Sequence, residues 1–157
     1  MRLLMKWLAP VIFGVGYLLF RSPFSRRSKM LHTFTMKIFR LAAENGNTQA
    51  LSLYGHLLHF KGEGQQSRIQ GAIYLEQAAK AGDSKAQYQM GRIYEAGFEH
   101  YFVPCDERAL HYYQLSAKQG HRLAITRLIA VYQQGELSQP ADTIQYQYWQ
   151  GQQAPLV

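Results

Sequence analysis

Two histidines at helical spacing are the first residues of this 157-residue chain that could bind a metal. His56 and His59 are three positions apart, which places both rings on one side of a helix, and Glu63 follows nearby. A structural or catalytic zinc site needs at least a third protein ligand. The pattern offers no convincing one, so it favours two surface histidines over a metal site.

The single cysteine, Cys105, is the other candidate for chemistry. A catalytic thiolate needs a base close to it, and the fold would have to bring one of His100, His111 or His121 to that place. Nothing in the sequence predicts this approach. One cysteine cannot form an internal disulfide, so the fold requires no oxidising compartment. We therefore predict no catalytic residue, no cofactor and no metal; a small metal-dependent or thiol enzyme built on these residues is the rival hypothesis.

The positive charge of the chain is concentrated at one end. Residues 1–40 contain eight Lys or Arg and no Asp or Glu, whereas residues 41–157 contain nine basic and ten acidic side chains, a balance of 9 − 10 = −1. A nucleic-acid-binding domain is expected to carry its positive charge on the folded domain as a patch or stripe. The distribution therefore argues against a nucleic-acid partner. The length is that of one domain.

The N-terminal segment is strongly apolar. Leu3–Phe20 is an 18-residue run with one charge, Lys6. As a helix it is roughly 27 Å long, enough to cross the hydrocarbon core of a bilayer. Trp7 and Tyr17 suit the two interfacial zones. We predict a transmembrane helix over residues 3–20.

A basic linker, Arg21–Lys29, follows this run. It contains no A-x-A-like cleavage site, which disfavours a signal peptide. Its positive charge places the C-terminal domain of a single-pass inner-membrane protein in the bacterial cytoplasm. The alternative is a periplasmic, envelope-associated protein exported after signal cleavage.

The next segment predicts an amphipathic helix. Leu31, Phe34, Ile38 and Leu41 form an apolar stripe at helical spacing. The helix either caps the folded domain or rests on a membrane, and one helix can do both. Five basic side chains of this region could contact anionic lipid headgroups: Arg26, Arg27, Lys29, Lys37 and Arg40.

The remainder of the chain repeats itself. The segment "ALSLYGHLLHFKG" from Ala50 aligns with "AQYQMGRIYEAGF" from Ala86, and that segment aligns with "AITRLIAVYQQGE" from Ala124. A second set of positions, around "LAAENG", "QAAKAG" and "LSAKQG", agrees with the same two offsets. The aligned positions are Ala50/Ala86/Ala124, Tyr54/Met90/Leu128, Gly55/Gly91/Ile129, Leu58/Tyr94/Tyr132, Ala43/Ala79/Ala117 and Gly46/Gly82/Gly120.

Each unit is predicted to be a helix, a turn, a second helix and a tight turn that ends at one of the aligned glycines. Gly46, Gly82 and Gly120 suit the position just after a helix, where the backbone has positive φ. Small residues such as Ala86 and Gly91 mark the places where neighbouring helices approach each other closely. The predicted N-caps of the second helices are Ser67, Asp106 and Asp142.

This pattern resembles the Sel-1-like repeat, a relative of the tetratricopeptide repeat. The resemblance is carried by Ala-x-x-x-Met-Gly-x-x-Tyr-x-x-Gly from Ala86 to Gly97 and by "ALHYYQLSAKQG" from Ala109 to Gly120. It implies an all-α superhelix, divided into a half-unit at 30–46 and units at 47–82, 83–120 and 121–153. The third unit departs from the pattern at Ile129, Gln152 and Gln153, which suits a polar terminal cap.

Families of this kind are mostly non-enzymatic scaffolds that hold a protein or peptide on a concave face. By register, that face is predicted to be formed by the non-core positions of the first helix of each unit. The prediction leaves the partner's identity and the oligomeric state open. The predicted partner-binding residues are Ser52, His56, His59, Tyr88, Arg92, Glu95, Thr126 and Gln133, with Ala130 between the last two. The predicted packing residues are Ala50, Gly55, Ala79, Gly82, Ala86, Met90, Gly91, Tyr94, Ala117, Gly120, Ala124, Leu128 and Tyr132.

Overall fold

The computed structural model describes residues 2–22 and 29–153, and helices form all of the named elements in these ranges. Most of the predicted linker Arg21–Lys29 lies outside the described residues. The helices are α1 (Arg2–Arg21), α2 (Lys29–Glu44), α3 (Thr48–Lys61), α4 (Gly64–Lys80), α5 (Ser84–Ala96), α6 (Asp106–Lys118), α7 (Arg122–Gln134) and α8 (Thr143–Gln152).

The chain divides into two compact units, Met1–Ala81 and Gly82–Val157. In the first, α1 packs on α2, α2 on α3 and α3 on α4; in the second, α5 packs on α6, α6 on α7 and α7 on α8. Successive antiparallel neighbours of this kind are the arrangement of helical-repeat proteins. The prediction of an all-α helical-repeat fold is confirmed, and within residues 29–153 the structure describes seven helices after α1.

The predicted membrane-spanning segment is not supported. Among the helices that the described residues form, none combines the length and the apolar character needed to cross a bilayer. The prediction for Leu3–Phe20 is corrected accordingly.

One face of α1 packs against protein. Ala9 and Gly16 are buried, and the ring of Phe39 on α2 lies 5.8 Å from that of Phe13 and 5.7 Å from that of Phe20. A Cβ placed on Gly16 would come within 2.7 Å of Ile38 Cγ2. Packing within the first unit therefore explains part of the apolar composition of α1. Hydropathy alone does not distinguish residues that pack on protein from residues that contact lipid.

Glycines bring the backbones of α3 and α4 into contact. A Cβ on Gly55 would lie 2.9 Å from both Gly71 O and Leu75 N, and a Cβ on Gly71 would meet the backbone of His59. At the aligned position of the second unit, the neighbour is different: a Cβ on Gly91 would lie 2.6 Å from the ring of Tyr113. At this aligned position, Gly55 thus allows close contact with a neighbouring backbone, whereas Gly91 allows close contact with an aromatic ring.

The C-terminal ends of two helices close in the predicted way. Gly46 and Gly120 have φ of 82° and 80°. Gly120 N donates to Ala117 O at 2.8 Å and His121 N donates to Ser116 O at 3.2 Å. This pair of bonds satisfies carbonyls that the helix leaves open, and the left-handed conformation it requires favours glycine.

The predicted N-caps are right at one helix and wrong at two. Asp142 caps α8 through bonds from Ile144 N and Gln145 N. Helix α4 instead begins at Gly64, with Glu63 at the cap, and α6 begins at Asp106 itself, with Cys105 at the cap. Ser67 and Asp106 therefore lie inside their helices, because the links that precede them end earlier than the polar residues suggest.

Candidate partner-binding surface

The predicted partner-binding residues of the second unit lie on two helices. Tyr88, Arg92 and Glu95 are spaced at four and three positions along α5, which places them on one face. Thr126 and Gln133 are seven positions apart on α7, again on one face. The surface formed by these five residues is called the α5/α7 face below.

A charged bridge joins the two helices at this face. Arg127 Nη2 lies 2.6 Å from Glu95 Oε1, and Arg127 Nε donates to Glu95 Oε2 at 3.3 Å. The same guanidinium contacts the carboxylate of Glu136 through Nη1. The hydroxyl of Tyr113, on α6, also donates to Glu95 Oε2, at 2.6 Å. One acidic side chain on α5 is thus held by α6 and α7 together.

This network changes the titration of its members. Burial acts to raise the pKa of Glu95, but the hydrogen bonds from Arg127 and Tyr113 outweigh it, so this pKa lies below its ordinary value. Burial, and then the bond to Glu95, raises the pKa of the Tyr113 hydroxyl. The bond to Glu95 raises the pKa of Arg127. Glu95 is therefore ionised at neutral pH, but its charge is compensated by Arg127.

Tyr88 has a packing role as well as partial exposure. Its ring stacks on His121 with centroids 4.9 Å apart and lies 5.9 Å from the ring of Tyr113. His121 Nδ1 is buried and has no hydrogen-bond partner among the described residues. Burial, followed by the charge of Lys85, lowers the pKa of His121. This aromatic stack fixes the start of α7 against α5.

The exposed members of the face are Arg92, Thr126 and Gln133. The hydroxyl of Thr126 donates to Arg122 O at 3.0 Å and accepts from Gln153 Nε2 at 3.3 Å. Arg92 contributes to the lowered pKa of Glu95 without an ion pair within the described residues. Among the described residues, Arg92 and Gln133 are the exposed members of this face whose side chains make no hydrogen bond or ion pair.

The predicted residues of the first unit, Ser52, His56 and His59, lie on α3. His59 is buried, and its Nδ1 lies 3.3 Å from Arg68 O. This burial corrects the interpretation of His59 as a surface histidine, and the contact of His59 with a partner stays a prediction. The His56 ring lies 4.6 Å from that of Phe60 and stays partly exposed. Its partial burial, followed by the charge of Lys61, lowers the pKa of His56.

Neither candidate for chemistry gains support from its surroundings. Within the residues that the structure describes, no three His, Cys, Asp or Glu side chains are grouped so that they could hold a metal ion. Cys105 occupies the N-cap position of α6, where its N donates to Tyr94 O at 2.7 Å.

The predicted packing residues lie mostly in the interior. Gly82 and Gly120 are exposed at their turns, and Gly55 and Gly91 are buried inside helices. The remaining members are all buried: Ala50, Ala79, Ala86, Met90, Tyr94, Ala117, Ala124, Leu128 and Tyr132.

Comparison with known families identifies the repeating unit. The family model for the Sel1 repeat matches residues 48–83 and 84–121. Residues 48–121 form two Sel1 repeats. The resemblance found in the sequence is confirmed, and the bounds of the matched repeats differ by one residue from the predicted units. Sel1 repeat proteins are generally non-enzymatic scaffolds built on a protein-interaction fold.

Solved structures agree on the fold. A Sel1 repeat protein from Oxalobacter formigenes is 22% identical with a TM-score of 0.75, over 91% of this chain and 56% of that one. A protective antigen of uropathogenic Escherichia coli strains, which displays an SLR fold, is 23% identical with a TM-score of 0.73, over 93% of this chain and 30% of that one. An immunity protein from Pseudomonas aeruginosa is 26% identical with a TM-score of 0.55, over 73% of this chain and 42% of that one.

The chain thus spans little more than half of the first of these proteins and less than half of the other two. No curated protein matches it in sequence. At identities of 22% and 23%, the first two similarities establish the fold alone.

Three residues that matter at the α5/α7 face were not predicted from the sequence: Tyr113, Arg127 and Glu136. The charges of Glu95 and Arg127 are 32 positions apart, close to one repeat length, and this spacing was the one available signal.

Proposed function

We propose that this Sel1 repeat protein is a non-enzymatic adaptor that binds a partner protein through the α5/α7 face. The observation that carries the proposal is the Glu95–Arg127–Glu136 bridge, which joins the two first helices of successive repeats. A face held in this way presents Arg92 and Gln133 on a rigid support. Binding to a preformed surface loses less conformational entropy than binding to a flexible one.

The charge of the face limits the kind of partner. Glu95 is occupied by Arg127 and Tyr113, so it is a poor acceptor for a basic group of the partner. Arg92 is exposed and cationic, and Gln133 can both donate and accept hydrogen bonds. The expected partner segment therefore presents a carboxylate or backbone carbonyls to Arg92.

Site-specific photo-crosslinking in cells tests this proposal. A photoreactive amino acid at position 92 and another at position 133 should give an adduct with the same protein. Lys118, an exposed residue of α6, provides a matched control position that should give no such adduct. With the partner purified, Arg92→Glu should weaken binding by roughly tenfold or more, since it reverses the charge of a contact. Equal labelling at all three positions would refute the proposed face.

Tyr88→Ala is less informative at this surface, because it also removes the stack on His121. Arg92 and Gln133 avoid this difficulty. Circular dichroism of each variant should show unchanged helicity, so that lost binding reports on the surface rather than on folding.

Attachment to a membrane through the N-terminal segment is part of the same proposal, with the folded units in the bacterial cytoplasm. Its support is the absence of acidic residues from residues 1–40, which contain eight basic ones. A reporter fused after Val157, combined with N-terminal sequencing of the mature protein, distinguishes a cytoplasmic domain from an exported one. A cleaved N-terminus with an external reporter would favour the periplasmic alternative.

A further inference from the structure

Helix α1 carries an exposed apolar stripe as well as its buried face. At 3.6 residues per turn, five apolar residues of α1 fall within an arc of about 100°. Their exposed fractions are high for apolar side chains: Trp7 82%, Leu8 45%, Val11 62%, Val15 50% and Leu18 72%.

The stripe lies opposite the residues that pack on α2. Ala9 and Gly16, which are buried, fall on the other side of the helical wheel. Packing within the first unit therefore explains one face of α1 and leaves the other uncovered. A continuous exposed apolar surface of this kind indicates an interaction site.

Charge around the stripe favours an anionic occupant. Arg21 is exposed one turn beyond Leu18, at the C-terminal end of the stripe. On α2, exposed Lys37 lies between Phe34 and the end of that helix, on the side that also exposes Met30 and Leu41. Residues 1–40 contain eight basic residues and no acidic one, although Arg40 pairs with Glu44 on the same helix. Cationic residues that border an apolar helical face are typical of helices that lie in the interface of anionic membranes.

We propose that the exposed stripe of α1 binds the surface of an anionic membrane, with the helix lying in the plane of the interface while its opposite face stays packed on α2. This inference deepens the proposed membrane attachment and is independent of the partner bound at the α5/α7 face. It predicts a peripheral protein whose apolar side chains enter the boundary between headgroups and acyl chains.

Vesicle binding of the full chain tests the proposal. The protein should float with vesicles that contain phosphatidylglycerol and should bind phosphatidylcholine vesicles at least several-fold more weakly, with the difference reduced by salt. The chain has two tryptophans, of which Trp7 is 82% exposed and Trp149 is 4% exposed. Binding should therefore shift the emission of wild type to the blue and leave that of Trp7→Phe nearly unchanged.

A double substitution in the stripe gives the decisive comparison. Val11→Glu combined with Val15→Glu should reduce binding to phosphatidylglycerol vesicles roughly tenfold or more, because it places charge in the apolar contact. Leu123→Glu combined with Ile144→Glu is the matched control, since these residues are also exposed and apolar but lie in the second unit. The control should bind as wild type does. Equal loss in both variants, or no binding by wild type, would overturn the proposal.

Two further outcomes distinguish other occupants of the stripe. Val11 lies at the middle of α1, so a tryptophan there, in a Trp7→Phe background, should be quenched by lipids brominated near the headgroup if the helix lies in the interface. Stronger quenching by lipids brominated at the chain ends would indicate insertion across the bilayer and overturn the in-plane arrangement. A dimer that Val11→Glu/Val15→Glu converts to a monomer, without vesicle binding by wild type, would identify a second copy as the occupant.

The vesicle assays contain no partner protein, and the crosslinking at positions 92 and 133 does not depend on lipid. Arg92→Glu should therefore retain wild-type vesicle binding. A negative result in one experiment leaves the other proposal intact.

Discussion

Gly91→Ala is the substitution that most directly tests why small residues occupy the helix contacts of this chain. A Cβ at position 91 would lie 2.6 Å from Cδ1 and Cε1 of Tyr113 and 3.0 Å from its Cγ. Carbon atoms do not approach so closely, so the ring would have to move. Tyr113 is 1% exposed, and its hydroxyl is held by Glu95 at 2.6 Å. Displacement of this buried ring would disturb its packing, and rotation would lengthen its charge-assisted hydrogen bond.

The effect of Gly91→Ala on the free energy of unfolding is the difference between a stabilising contribution and two destabilising ones. Alanine in place of glycine inside a helix stabilises it by about 1 kcal/mol. Overpacking of a close contact costs about 1–3 kcal/mol, and weakening a hydrogen bond to a charged group adds up to about 1.5–3 kcal/mol. We expect a net loss of about 1–3 kcal/mol in the free energy of unfolding. Helix propensity alone predicts instead that Gly91→Ala stabilises the protein.

Urea unfolding followed by the fluorescence of Trp149 measures this loss, since Trp149 is buried in the same unit. Gly151→Ala is the matched control: a Cβ there meets nothing within 4 Å, so the variant should be neutral or slightly more stable. The loss in the Gly91→Ala/Tyr113→Leu double variant should be smaller than the sum of the losses in the two single variants, because the added methyl group then meets no ring. A Gly91→Ala protein as stable as wild type would refute this account of the contact.

Further substitutions test the network and the helix ends. Tyr113→Phe should lower the free energy of unfolding by about 1.5–3 kcal/mol in urea titrations and raise the pKa of Glu95 in carboxyl NMR titrations, because it removes a donor to the carboxylate. The pKa of Glu95 is lowered in the folded chain, so its contribution to stability is complete above the unfolded pKa of 4.5 and is lost as the pH falls through the folded value. In measurements of the free energy of unfolding against pH, Glu95→Gln should reduce this acid-dependent loss. The lowered pKa of His121 also reduces stability as the pH falls below 6.5, because the unfolded chain then binds the proton more readily than the folded one. His121→Gln should remove this part of the pH dependence of the free energy of unfolding. Asp142→Ala should cost about 0.5–2 kcal/mol through loss of the α8 cap, measured by urea unfolding, whereas Ser67→Ala, inside α4, should cost less.

The repeat register made the fold predictable because it uses several independent positions at once. Alanines and glycines at matching offsets located the helix pairs, and the closing glycines located their ends. Helix starts were less predictable: α3 ends at Lys61 and α4 begins at Gly64, so the link is too short for the cap expected at Ser67. Hydrophobic periodicity defines which face of a helix is buried, but it does not define the residue at which the helix begins.

Helix α1 shows a second limit of the same kind. Its residues are apolar on nearly every side, and hydropathy sums over all sides of a helix. The structure separates them into a face that meets Phe39 and a face that includes Trp7 and Val11, and only the second remains available to lipid. The overestimated membrane span came from adding the two faces together.

The α5/α7 face shows why a surface is harder to predict than a core. Glu95 was expected to contact a partner because its position faces outward in the repeat register. Its availability depends on whether a cation on the next first helix reaches it, which requires the crossing geometry of α5 and α7 as well as the register. Because Arg127 spans the gap and is itself held by Glu136, Glu95 becomes part of the support. Among the described residues, Arg92 is then the charged member of the predicted set that has no ion pair. Under the proposed function, one arginine sets the preference for an acidic or carbonyl-rich partner segment. We therefore expect that Arg127→Met releases Glu95, weakens the preference set by Arg92, and allows basic segments to bind.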